Sequence, residues 1–204
     1  MRGWRPVSEG PLLEAELAEA AKALLRAGRS FALVGGLAVS IRGEVRFTRN
    51  VDLAIDVSSD EETESLVRDL SAAGYSVVAL VEHGDRKRLS TVRLRSRAGV
   101  NVDLLAASSG IEHEVVSGSS PVEIEGAGGI PVARAEDLLA TKLLSMSARR
   151  PQDRLDASAL ILANPSLDLD RVRAQLERIR ERGFDRGKDL EADLRAVLAE
   201  VASM

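Results

Sequence analysis

The chain has 204 residues, no cysteine, 28 basic against 32 acidic side chains and 45% hydrophobic residues, enough for one or two soluble globular domains. Without cysteine there is no disulfide framework, thiolate nucleophile or Cys-ligated metal site, and a cytoplasmic protein is the simplest expectation. Glu9, Glu14 and Glu16 follow Arg2 and Arg5 where a signal peptide or membrane span would need an apolar stretch, and aromatics at 2% argue against a stacking-type RNA binder.

Leu13, Leu17, Ala20, Ala21, Leu24 and Leu25 recur at helical spacing and predict an amphipathic helix from Pro11 to Ala27, stopped at Gly28. Ser30 to Val34 is a short apolar run ending in Gly35-Gly36, behind which Leu37 to Arg42 opens a helix. Val51 to Val57 alternates: Val51, Leu53 and Ile55 on one face, Asn50, Asp52, Ala54 and Asp56 on the other. Asp60 to Gly74 predicts a further helix capped within Ser58 to Asp60. Strands are expected at Val77–Val81, Leu89–Arg95 and Val100–Leu105, with Arg97-Ala98-Gly99 as a turn.

After Ala106 the chain turns small and polar, and reads mostly as connection with short strands at Val122–Ile124 and Ile130–Val132. Helices are then expected at Asp137–Ser147, Gln152–Ala163, Leu169–Arg182 and Lys188–Val201. A mixed part followed by a helical part is the pattern of an α+β or α/β catalytic module with an appended bundle, of which α+β is the expectation, with a catalytic core over residues 1–134 and a helical C-terminal region over 135–204.

Two glycines between a strand and a helix let an anion approach the helix N-terminus, although a Gly-Gly turn also serves without any ligand. Asn50 and Asp52 project from one strand face, and Asp103 sits in an apolar strand of its own. A lone Asp there is costly to bury unless it is paired, hydrogen-bonded or metal-bound, so two such strands suggest one shared cluster; the alternative turns both faces to solvent. Hard oxygen ligands of this kind suit Mg²⁺ (or Mn²⁺) and phosphoryl chemistry. Lys142, among leucines, is either a snorkelling lysine or a cation for a triphosphate. Arg150, Asp153 and Asp156 form either a phosphate or metal group or an i, i+3 ion-pair set. Arg42, Arg46 and Arg49 flank the site as candidate phosphate contacts. Arg86, Lys87, Arg88, Arg93, Arg95 and Arg97 form the densest basic stretch, a stripe for a polynucleotide backbone or a solvated sheet face. His83 and His113 stand at no metal-ligand spacing, so neither a zinc site nor a Ser-His-Asp triad is expected.

The string Gly35-Gly36, Arg46-Phe47-Thr48-Arg49-Asn50-Val51-Asp52-Leu53 and Val102-Asp103-Leu104-Leu105 resembles the nucleotidyltransferase fold of the DNA polymerase β superfamily. It is most similar to the AbiEii and MenT branch of toxin–antitoxin systems. Ile130-Pro131-Val132, Glu136-Asp137-Leu138-Leu139, Thr141-Lys142-Leu143 and Arg150-Pro151-Gln152-Asp153-Arg154-Leu155-Asp156 fit the same branch, so the resemblance spans about residues 30 to 162. It implies a nucleotidyltransferase-like mixed sheet flanked by helices and followed by a helical bundle. It also implies nucleotide binding at Gly35, Gly36, Arg46, Thr48 and Arg49, metal at Asn50, Asp52 and Asp103, and catalytic roles for Asp52, Asp103, Lys142 and Asp153.

The chain departs from the family pattern at Asn50, where the first of two aspartates is usual, and at Gln152, where lysine is frequent. An amide oxygen ligates Mg²⁺ without contributing charge, so the metal would be held more weakly; Asp56 lies too far along the strand to compensate. The resemblance implies transfer of NMP from an NTP to an RNA, such as the 3′ end of tRNA, or to a protein hydroxyl. A cognate antitoxin would be the protein partner, and no membrane is involved. The alternatives are a catalytically impaired protein that binds nucleotide or a partner, favoured by Asn50, and a small-molecule nucleotidyltransferase, disfavoured by the basic stretch.

Overall fold

The computed structural model describes residues 11–83 and 88–203. Arg2, Arg5 and Glu9 near the N-terminus, and Arg86 and Lys87 of the basic stretch, lie outside the described residues. Helix α1 (Pro11–Arg26) buries Leu13, Leu17, Ala20, Ala21 and Leu24, while Leu25 stands 66% exposed. It ends in a left-handed Gly28 (φ 67°), where Arg29 N–H reaches the Leu24 carbonyl at 3.0 Å, the closure that glycine makes easy.

Next come β1 (Phe31–Val34), α2 (Gly35–Arg42), β2 (Asn50–Ile55), α3 (Asp60–Ala72), β3 (Ser76–His83), β4 (Arg88–Arg95) and β5 (Asn101–Leu105). Helix α4 (Glu112–Gly118), the hairpin β6 (Ser120–Ile124) and β7 (Gly128–Val132), and helices α5 (Ala135–Ser145), α6 (Pro151–Ala163), α7 (Leu169–Glu181) and α8 (Leu190–Ala202) complete the chain. The seven strands form one mixed sheet in the order β3-β4-β5-β2-β1-β7-β6. Strand β2 runs antiparallel to β1 and parallel to β5, and β1 runs parallel to β7. Val51, Leu53 and Ile55 of β2 are fully buried, as their alternation predicts.

The expected elements are present, with two corrections. The stretch after Ala106 holds a helix, α4, where connection was expected; the Glu112 carboxylate accepts the Ser108 and Ser109 N–H groups at 2.8 and 2.7 Å and both serine hydroxyls, organising its start. The basic stretch is not a three-arginine stripe either, because β4 ends at Arg95 and Arg97 folds over Gly74. Strand β3 is an edge strand whose Val77, Val78, Leu80 and Val81 are about half exposed, so its β-branched residues reflect strand preference rather than core membership. Helix α5 packs against α2, α6, α7 and α8, which brings side chains from the C-terminal helices to the sheet. Among the described residues no helix is long and apolar enough to cross a membrane.

Candidate active site

Sheet register assembles the site. Asp52 on β2 lies beside Asp103 on β5, Asp103 lies beside Arg93 on β4, and Asp52 faces Val34 at the end of β1, one residue before the glycine pair. The shared cluster expected of the two strand acids is therefore formed. Asp103 is buried, whereas Asn50 and Asp52 are partly buried on the same strand face. Burial in the first place, and the neighbouring Asp103 charge in the second, push the Asp52 carboxyl up from 3.8 to about 6. Lys142, the Gly36 N–H and Arg46 pull in the opposite direction and do not prevail.

The glycine pair is required by contact as well as by conformation. Gly35 is left-handed (φ 63°) and a Cβ there would overlap the Asp52 carboxylate. A Cβ on Gly36 would come within 2.8 Å of both Arg46 Nη2 and Thr48 Oγ1. Gly36 N–H, in the first turn of α2, donates to Asp52, so the carboxylate occupies the helix N-terminus where an anion is stabilised.

Behind this lies a second charged cluster. Lys142 on α5 is buried, with Nζ 2.9 Å from Asp153 Oδ1 and 2.7 Å from Asp156 Oδ2, both carboxylates being buried on α6. It is thus no snorkelling side chain. Arg46 clamps Asp156 from the other side, with Nε 2.7 Å from Oδ1 and Nη2 2.9 Å from Oδ2, and Gln152 donates to the same carboxylate at 2.9 Å. Burial would raise the Asp156 pKa, yet Lys142, Gln152 and Arg46 outweigh it and hold the carboxyl below its ordinary value. Arg150 Nε meets Asp153 Oδ2 at 2.7 Å, the i, i+3 pair that the sequence left open.

The other predicted residues separate. Thr48 sits over Gly36. Arg49 is exposed and its guanidinium lies 5.2 Å from the Phe47 ring centroid. Arg42 turns away to the carbonyls of Ala133 and Val132 and to the Ser120 hydroxyl, so it braces β6 and β7 instead of a phosphate. Asp56 leaves the cluster for His113, at 3.1 Å, as its place at the far end of the strand implied. His83 packs edge-on against Phe184. Asp137, in a segment that carries the resemblance, is fully buried and bound by Arg171 and Gln175, which joins α5 to α7.

Arg93 has a more definite place than a basic stripe gave it. Its Nε and Nη2 grip both Asp103 oxygens at 2.8 and 2.7 Å, a bidentate fork that raises the arginine pKa through the hydrogen bonds and the charge of Asp103. The signal was in the hairpin count: with the turn at Arg97-Ala98-Gly99, antiparallel pairing sets residue 93 against residue 103.

The glycine pair, Arg46, Thr48, Asn50, Asp52, Arg93, Asp103, Lys142, Arg150 and Asp153 line a cleft of about 1540 Å³ that also takes in Arg49, Arg149 and Arg186. Two adjacent carboxylates and the Asn50 amide, with the Asp52 carboxyl driven up first by burial and then by the Asp103 charge, suit a hard divalent cation completed by substrate phosphates. Among the described residues no three His, Cys, Asp or Glu side chains gather as a self-sufficient metal cage.

The model of the AbiEii nucleotidyl transferase toxins, of type IV toxin–antitoxin systems, matches residues 20–202. The chain belongs to this family. The AbiEii match takes in the glycine pair, both strand acids and the Lys142–Asp153–Asp156 cluster. Among solved structures, the antibiotic-resistance factor ANT(2'')-Ia is similar at 18% identity and a TM-score of 0.54, over 83% of this chain and 92% of that one. An antigenic nucleotidyltransferase-like protein from Paracoccidioides brasiliensis is similar at 18% identity and a TM-score of 0.51, over 90% and 92%. Both likenesses concern the fold. No curated protein matches the chain. Fold and family together make this AbiEii protein a nucleotidyltransferase of the toxin class.

Proposed function

We propose that this AbiEii protein transfers NMP from an NTP to a hydroxyl of a cytoplasmic RNA, the 3′ end of tRNA being the leading acceptor. The observation that carries the reading is the placement of Asp52 and Asp103 side by side at the N-terminus of α2. In it, Asp52 and Asp103, with Asn50 assisting, hold a divalent cation, which when bound supplies the charge that neutralises the triphosphate. The Gly35-Gly36 turn lets the Asp52 carboxylate, Arg46 and Thr48 close up on the backbone at the start of α2, and Arg46 and Thr48 are the groups that would face the phosphates there. Lys142, Asp153 and Asp156 fix Arg46 in position through their shared ion pairs. The acceptor oxygen attacks the α-phosphorus, the bond to the β-phosphate oxygen breaks, pyrophosphate leaves and the hydroxyl proton passes to solvent or a nearby carboxylate. Positioning and charge neutralisation carry most of such a reaction.

Cations and carboxylates both line the cleft: Arg46, Arg93 and Arg150 are paired with Asp156, Asp103 and Asp153, and Glu82, Glu112 and Asp185 line it as well. Arg49, Arg149 and Arg186, outside those pairs, are the groups that would meet an RNA backbone. A second reading, nucleotide binding without turnover, is favoured by Asn50, which removes one charge from the metal site. The test is incubation with each labelled NTP, total tRNA and Mg²⁺ or Mn²⁺. Label that enters tRNA and is lost in Asp52→Ala supports the transferase. No label in RNA or protein, with Asn50→Asp equally silent, overturns it, and metal-dependent nucleotide binding would then support the second reading. Growth arrest on induction, relieved by a cognate antitoxin, tests the toxin role.

A further inference from the structure

The connection between α7 and α8 has a feature that the proposed reaction does not use. Arg186 is the only non-glycine residue with positive φ among the described residues, at 58°, and it stands beside Gly187 (φ 70°) and three residues after Gly183 (φ 70°). A left-handed arginine is disfavoured by contact between its Cβ and the following carbonyl, so the surrounding structure must hold it there. It does: Phe184 is buried against Gly110 and packs on His83. Arg182 is bound to the Gly110 carbonyl and to Glu114, and Lys188 Nζ reaches the Leu143 and Met146 carbonyls at 2.5 and 2.9 Å.

The strained residue delivers its side chain to the cleft that contains Gly35, Gly36, Asp52 and Asp103. One Nη2 bond, at 3.0 Å to the Ser108 carbonyl, orients the guanidinium. Among the described residues no carboxylate lies within ion-pair distance of it: Asp153 is held by Lys142 and Arg150 and Glu112 by the two serines. The positive neighbour is Arg150, and burial first, with that like charge second, lowers the Arg186 pKa against the smaller opposing pull of Asp153 and Glu112. Two guanidinium groups in one cleft, one of them held there by a strained backbone and outside ion-pair distance of any described carboxylate, offer donors that a phosphate can accept from.

We propose that Arg186, with Arg150 beside it, is a phosphate-binding subsite that the C-terminal helices contribute to the cleft. The ligand chemistry is a phosphate group, either the triphosphate of the NTP or the phosphodiester of the RNA acceptor. This inference rests on the reading of the cleft as a nucleotidyltransferase site.

Binding of inorganic tripolyphosphate, of each NTP and of tRNA without NTP is measured for wild type, Arg186→Gly and Arg186→Lys, together with thermal midpoints. Glycine accepts the left-handed conformation, so Arg186→Gly is expected to keep or raise the midpoint while weakening phosphate binding about tenfold or more; lysine is expected to restore part of the loss. Weakened tripolyphosphate and NTP with unchanged tRNA assigns the subsite to the triphosphate; the opposite pattern assigns it to the RNA. All affinities within twofold of wild type, or a loss of affinity accompanied by a lowered midpoint in Arg186→Gly, overturns the proposal and leaves Arg186 as a clip to the Ser108 loop. Wild type that binds tripolyphosphate through Arg186 but transfers no label keeps the subsite and loses the transferase. Label transfer with Arg186→Gly binding at wild-type strength does the reverse.

Discussion

Replacing Asp52 by asparagine is expected to stabilise the metal-free protein above pH 6 and to leave its stability unchanged below about pH 4. Asp52 is driven up from 3.8 to about 6 by burial and by Asp103, so the folded state prefers the neutral acid. Below about pH 4 the carboxyl is protonated in both folded and unfolded chains and contributes no difference. Between 3.8 and 6 the folded protein binds more protons than the unfolded one, so stability falls as pH rises; above 6 the whole penalty is present. At roughly 1.4 kcal/mol per pH unit, the penalty at pH 8 is about 3 kcal/mol. Asparagine is nearly isosteric, keeps an oxygen for the Gly36 N–H and carries no charge, so it removes that penalty. The assay is urea denaturation of wild type and Asp52→Asn in chelator from about pH 4 to pH 8, with the difference in unfolding free energy plotted against pH. A difference that is flat across the range, or that favours wild type at pH 8, would refute the reasoning. Added Mn²⁺ at pH 8 is expected to stabilise wild type more than the variant, because the cation takes over the role of the proton.

Gly35→Ala must adopt φ 63° and place a methyl group on the Asp52 carboxylate, so it is expected to lose about 1–3 kcal/mol of stability and most NTP affinity, as calorimetry would measure. Lys142→Met leaves Asp153 and Asp156 buried without their shared cation, and a loss of about 3–5 kcal/mol is expected. Partial recovery in Lys142→Met/Asp156→Asn, measured by denaturation, would show that a folding defect contributes to any inactivity of the single variant. Arg93→Gln removes the fork from Asp103; because Arg93 is 43% exposed, the stability change is expected to stay near or below about 1 kcal/mol, while Mn²⁺ affinity, read by electron paramagnetic resonance, rises several-fold as a competing cation leaves. Weakened Mn²⁺ binding would instead make Arg93 a supporting part of the cation site.

What the sequence made legible was whatever had a local reason to look unusual. Gly35 carries its signature because the chain turns left-handed between a strand and a helix, and Asp52 and Asp103 carry theirs because an acid within an apolar strand requires a partner. Arg93 was legible in principle by counting outward from the Arg97-Ala98-Gly99 turn, yet its alternation with Arg95 suggested either a stripe for a polynucleotide or a solvated sheet face, and alternation does not report what lies across the sheet. Helix α4 had only a misleading signal: Ser109-Gly110-Ile111-Glu112 has the serine-to-glutamate spacing of a capping box, but the helix starts at Glu112 with Ile111 as an uncapped N-cap, and Glu112 instead accepts from the serine loop before it. A helix of seven residues has too little periodicity to supply a better cue. The Lys142 cluster was half readable, since the leucines around Lys142 imply burial but not the two aspartates that satisfy it. Arg186 had no local signal at all. Its conformation is imposed by Phe184, Arg182 and Lys188 docking onto segments distant in sequence, as far back as His83, and only the assembled fold can set such a residue against its own backbone preference. Strain of this kind persists where the rest of the structure holds it in place, which makes Arg186 a better marker of function than any exposed arginine of the basic stretch.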